Sequence, residues 1–160
     1  MEKGLNTSLK NIIFKGEKMA EESQKNEYNF LVYKNETWGS YGQHIKIVKF
    51  IIDTDNKSQK PIWEIVNVKW ENNDSRKNKH IKAYAKEEDI MKMKGKILKE
   101  IYDYQSSRKR EISIKYYIVS DSGLQEIKSE NGVKINGKYY DIIMLDGKRI
   151  MISKDEVIVQ

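Results

Sequence analysis

Two histidines, His44 and His80, and no cysteine leave this chain little of the usual apparatus for metal binding or nucleophilic catalysis. Neither histidine has a partner at a ligand spacing such as an i, i+4 pair, so no metal site is expected. No G-x-S-x-G elbow presents a serine to either ring, and the missing thiols exclude thiolate ligands and thiol nucleophiles. Carboxylates do cluster, at Glu87-Glu88-Asp89 and Asp155-Glu156, and such pairs can hold magnesium or exchange protons. The first set reads better as the acidic first turn of a helix, the second as a turn. Gly39 and Gly42 lie in Trp38-Gly39-Ser40-Tyr41-Gly42, with no Lys-Ser/Thr behind them, so they build no phosphate-cradling loop. The expectation is a protein that is not an enzyme and uses no cofactor.

What the chain has in quantity is positive charge, unevenly placed. Lys and Arg total 30 against 24 Asp and Glu. Residues 76–110 hold twelve of the cations and five of the acids, so that stretch carries +7 and the remainder −1. Arg76, Lys77, Lys79 and Lys82 open it, Lys92, Lys96 and Lys99 recur at helical spacing, and Arg108, Lys109 and Arg110 close it. Ammonium and guanidinium groups neutralise phosphates and release counterions whatever the base sequence, which makes these residues the predicted contact with nucleic acid or a nucleoprotein complex. Trp38 and Tyr41, in the glycine-containing loop, are the predicted aromatic anchors. Their rings can stack on unpaired bases or fill a pocket of a protein partner. Nothing points to base-specific readout. Small size, a Lys/Asn/Ile-rich composition and the lack of a catalytic motif also fit a second expectation. It is a protein-directed inhibitor or adaptor, of the kind that mobile genetic elements in bacteria and phages encode against host defence effectors such as CRISPR enzymes.

Hydrophobic periodicity says what must position these groups. Tyr28–Lys34, His44–Asp53 and Ile62–Trp70 alternate as strands, the last two forming the simplest hairpin, and residues 71–82 read as a charged connector. A helix is predicted over about Lys86–Ser106, because Ile90, Met93, Ile97, Ile101 and Tyr104 recur at steps of 3, 4, 4 and 3. Acids sit at its start and Arg108–Arg110 just beyond its end, as the helix dipole prefers. After it, Glu111–Ser120 alternates again. Asn136-Gly137 and Asp146-Gly147 between apolar runs then signal tight hairpins, ending in a last strand, Glu156–Val159.

The expected fold class is α+β: an antiparallel sheet with one amphipathic helix packed on it and a C-terminal β-meander. The element order after residue 86 also allows a small SH3-like barrel. Residues 28–160 read as one domain behind a mobile N-terminal arm, 1–27. Lys15-Gly16-Glu17-Lys18-Met19 back-translates to a bacterial ribosome-binding sequence followed by a start codon, so Met19 is a candidate natural start. No apolar run approaches the roughly 20 residues of a membrane span, nor the apolar stretch of a signal peptide, so a cytoplasmic location with no membrane contact is expected. A helix of some 20 residues is about 30 Å long. It would hold Arg76–Lys82 and Arg108–Arg110 at opposite ends, and only tertiary folding could unite the three basic groups.

Overall fold

Nearly every described stretch with β-branched or aromatic residues at alternate positions forms a strand. The computed structural model describes residues 30–38, 42–74 and 79–160; 69% of these lie in strands and 7% in helical turns. The expected arm and the Met19 start lie outside the described residues. In chain order the elements are β1 (Phe30–Trp38), β2 (Gln43–Asp53), β3 (Ser58–Pro61), a 3-10 turn (Ile62–Glu64), β4 (Val68–Asp74), β5 (Lys79–Ala85) and α1 (Glu87–Met91). There follow β6 (Ile97–Gln105), β7 (Arg110–Ser120), β8 (Gly123–Ile127), β9 (Ser129–Ile135), β10 (Lys138–Leu145), β11 (Lys148–Ile152) and β12 (Val157–Val159). They make two antiparallel sheets. The larger runs β4-β5-β1-β2-β6-β7-β8. Its β2 gives one edge to β6 and divides the other, residues 43–48 pairing with β1 and 50–53 with β3. The smaller is the meander β9-β10-β11-β12.

The expected α+β class is therefore corrected to a mostly β fold. Of the helix predicted over Lys86–Ser106, only Glu87–Met91 is helical. Gly95, at φ +87°, turns the chain in a left-handed conformation that suits glycine, and Ile97 then opens a nine-residue strand. That strand is central. All nine residues pair with β7, and those from Ile97 onward also pair with β2, so tertiary hydrogen bonding overrides the local helical period. Its first three residues, Ile97, Leu98 and Lys99, are all buried, because the sheet is covered on both sides there. A doubly covered strand shows no clean alternation. The SH3-like barrel is not formed either: β6, β7 and β8 belong to the large sheet, and the last four strands make their own. The predicted strand Ile62–Trp70 begins as a 3-10 turn, and the supposed connector 71–82 supplies most of the β4–β5 hairpin.

Two hydrophobic clusters fix the layers. On one side of the large sheet, Ile51 and Leu98 join Val32, Ala83, Ala85, Ile62 from the 3-10 turn and Ile90 and Met93 from the α1 region. On the other side, Ile52, Ile97, Tyr116 and Ile127 meet Ile143, Ile150, Ile152 and Val157 of the small sheet. At about 25 cal/mol per Å² of apolar area, this sandwich is the main source of stability. The small sheet covers only the end of β2, β6 and β7 that carries Ile52, Ile97 and Ile118, called here the covered end. The opposite end, with His44, Gln105 and Arg110 in register, is the free end.

Candidate nucleic-acid interface

The strand register decides which basic residues meet. At the free end the ends of three strand pairs come together. Trp38 pairs with Gln43, Asp74 with Lys79, and His44, Gln105 and Arg110 lie across adjacent strands. The groups predicted at Lys79–Lys82 and Arg108–Arg110 thus share one end of the large sheet, with the backbone of Trp38 beside them. Tyr41, Arg76 and Lys77 lie outside the described residues. Lys92 and Lys96 stand at the covered end, separated from Arg108 by the nine residues of β6, roughly 30 Å at about 3.3 Å per residue. The expectation that Lys92, Lys96 and Lys99 form one outward helical face is corrected with the helix itself. Lys92 is exposed and paired with Asp89 at 3.2 Å. Lys99 is buried, donating to Gln59 Oε1 at 3.2 Å with its ammonium over the Tyr116 ring, so it is no phosphate contact.

The tip of the β6–β7 hairpin is built by Ser106. Its amide donates to the carbonyl of Lys109 at 2.8 Å, and its hydroxyl accepts from the amides of Arg108 and Lys109 at 3.3 and 3.2 Å. These bonds close the turn, and Arg108 in it is exposed to solvent. Arg110 lies against Asp103 in a two-bond fork, Nε to Oδ1 at 3.2 Å and a terminal nitrogen to Oδ2 at 3.0 Å. This holds the Asp103 carboxyl below its usual range and the guanidinium above its own. His44 donates across the same tip, from Nε2 to Gln105 Oε1 at 3.1 Å. Lys109 pairs with Glu111 at 3.0 Å, which raises its ammonium pKa, and lies 5.8 Å from the centre of the Tyr104 ring.

On the opposite side of the sheet at this end, Lys34 and His80 flank Glu36 at 2.7 and 3.3 Å, and the hydrogen bond from Lys34 is the main reason the Glu36 carboxyl is held low. Lys46, Lys82 and Arg108 enter no ion pair among the described residues. Lys46 was missed by the sequence reading, although its alternation with Ile45 and Ile47 in β2 puts it on the polar side beside His44. Among the described residues no three His, Asp or Glu side chains gather as metal ligands, and no helix is long and apolar enough to cross a membrane. What the free end can do chemically is present cations, some of them ion-paired, interleaved with carboxylates, to an anionic surface.

No family model, curated protein or solved structure matches the chain, so this geometry stands without a relative to compare it with.

Proposed function

We propose that this chain is a non-enzymatic binding module that contacts the phosphates of a nucleic acid, or of a nucleoprotein complex, with the free end of its large sheet. The observation that carries the reading is that the paired strand ends Trp38–Gln43 and Asp74–Lys79 and the β6–β7 turn lie at that one end, with Lys46, Lys82 and Arg108 in these strands and that turn outside any ion pair among the described residues. Phosphate is the natural partner of such an arrangement, because counterion release rewards each cation it neutralises. The Arg110–Asp103 fork orients a guanidinium beside Arg108 before any ligand arrives, which lowers the ordering cost of binding. The test is retention of 20-nucleotide single strands and duplexes across a salt series. Lys46→Glu with Arg108→Glu should weaken binding and flatten its salt dependence, each lost contact removing about 0.7–0.9 from the log–log slope. Wild type with no salt-dependent retention sinks the proposal.

A second reading, the protein-directed inhibitor or adaptor, has an observation of its own. Trp70, 51% exposed on edge strand β4, packs 5.7 and 5.8 Å from the rings of Tyr33 and Trp63, with Ile65 also exposed at 44%. Rigid aromatics at a surface are the usual anchors of protein interfaces. A partner that survives nuclease treatment in a pull-down, and is lost with Trp70→Ala, favours this reading over the first.

A further inference from the structure

The outer edge of β4 leaves a row of backbone amides and carbonyls with no strand partner among the described residues. Folded proteins blunt such edges with short strands, bulges or proline, and the other open edges of this molecule follow that rule. β12 has three residues, β3 has four and ends in Pro61, β8 has five, and β9 carries a register shift between Glu130 and Val133. β4 has none of these devices. All seven of its residues pair with β5 in unbroken register, from Val68 with Ala85 to Asp74 with Lys79. We propose that this edge takes a second copy of the chain, β4 pairing antiparallel with β4 about a two-fold axis at Trp70, so that two large sheets become one. Trp70, read above as an anchor for a protein partner, thereby gains a partner of defined sequence, and the contact is independent of the phosphate interface.

The charges of the strand select that register. With the axis at Trp70, Lys69 lies directly across from Glu71 of the second copy and Glu71 from Lys69, while Val68 meets Asn72. Opposite charges directly across a sheet attract and like charges repel. Moving the axis by one residue either way sets Lys69 against Lys69 or Glu71 against Glu71, so the same two side chains disfavour the neighbouring registers. Both are exposed, and neither enters an ion pair among the described residues. On its other side Glu71 has Lys82 as register partner, so the row alternates in sign across the junction, from Lys82 to Glu71 to Lys69 of the second copy. A two-fold interface requires a surface that complements itself in this way, because each contact is made twice. Trp70 supplies the apolar centre. It is 51% exposed, and its indole is held 5.7 and 5.8 Å from the Tyr33 and Trp63 rings, so little side-chain freedom is lost on pairing. Across the axis it meets its own copy, an aromatic pair of the kind that stabilises neighbouring strands.

The test is sedimentation equilibrium of the full chain, freed of nucleic acid by nuclease, over a concentration series. Wild type should pass from monomer to dimer. Lys69→Glu and Glu71→Lys each set like charges across both symmetric pairs and should weaken the dimer about tenfold. Lys69→Glu combined with Glu71→Lys restores opposite charges and should dimerise as wild type does. All these changes are at exposed positions, which the fold tolerates. Lys46→Glu with Arg108→Glu, directed at the phosphate contact, should leave the dimer intact. A wild type that stays monomeric up to about 1 mM, single variants that dimerise unchanged, or a double variant that fails to recover would each overturn the proposal. A chain that stays monomeric yet loses a nuclease-resistant partner with Trp70→Ala would overturn it too, while leaving the protein-directed reading in place.

Discussion

Lys49 and Lys99 are both buried, 8% and 7% exposed, on opposite sides of the same sheet, and the protein accommodates them in different ways. Lys49 finds its partner within its own layer. Its register partner Glu100 is 3.1 Å away, it donates to the Leu31 carbonyl, and the Phe30 ring lies 5.1 Å off. Lys99 forms no ion pair with a carboxylate among the described residues. It donates to Gln59, whose amide donates in turn to the carbonyls of Ser153 and Lys154 beside the small sheet. The charge that favours it belongs to Asp141 of β10, and that carboxylate is held by the Tyr116 hydroxyl at 2.6 Å and the Gly132 amide at 3.0 Å. A cation answered inside its layer affects that layer, whereas one answered across layers also fastens one sheet to the other.

The contrast can be broken by experiment, beginning where the effect is largest. Lys99→Glu sets a second negative charge toward Asp141 with no solvent to screen it, and should cost about 3–5 kcal/mol, read as a fall in the urea midpoint. A loss below about 1 kcal/mol would show that Lys99 is not an inter-sheet tie. Next, Tyr116→Phe removes a buried hydrogen bond to a carboxylate and should cost about 1.5–3 kcal/mol. Tyr117→Phe should cost less, since its bond to Glu100 is longer, at 3.3 Å, and only partly buried; equal losses would erase the distinction between the layers.

The pH dependence is a smaller effect with a definite sign. Burial is the main cause that holds both ammonium groups below the ordinary lysine value of 10.5. Between the folded value and 10.5 the unfolded chain therefore binds more protons than the folded one, and stability rises with pH across that window. Urea midpoints from pH 7 to 10 should climb for wild type relative to Lys99→Met, and again relative to Lys49→Met. Parallel curves would contradict the burial account. Above pH 10 the sign reverses, because the unfolded chain ionises tyrosines that the fold keeps protonated, Tyr117 being pushed up to about 12. The smallest expected effect on stability is that of Arg110→Ala at the exposed tip. It should leave the urea midpoint unchanged while reducing nucleic-acid retention, and a changed midpoint with intact retention would make the fork a structural contact only.

Part of this arrangement was legible in the sequence. The alternation in β2 and β7, the Asn136-Gly137 and Asp146-Gly147 turns, and the basic hairpin at Arg108–Arg110 can all be read locally, because an exposed or half-exposed strand and a tight turn leave a local signature. The stretch 97–105 misleads for a physical reason. Ile97, Ile101 and Tyr104 fit a helical stripe, and only the pairing with β2 and β7, each distant in sequence or joined by a later turn, makes it a strand. In sequence Lys99 reads as a surface charge on the same ground, since the groups that surround it, Gln59, Tyr116 and Asp141, come from three other strands. Lys46 has a local signature too, since the alternation His44-Ile45-Lys46-Ile47 places it on the polar side of its strand.

The divided edge of β2 has a kinetic consequence. Its partners on that edge, β1 and β3, are its neighbours in the chain, reached through short connections, whereas β6 arrives only after the chain has passed through β4, β5 and α1, so that His44 meets Gln105. Loop-closure entropy favours the local hairpins first. The β1–β2–β3 unit and the β6–β7 hairpin should therefore form early and meet in one long-range docking step, along the line where Ile51 faces Leu98 and Ile52 faces Ile97. Truncating Ile51 or Leu98 to alanine is expected to slow refolding, while truncating Ile150 in the small sheet is expected mainly to speed unfolding. Stopped-flow chevrons would distinguish the two, and on this account the rate at which the protein folds is governed by a single seam in the middle of its larger sheet.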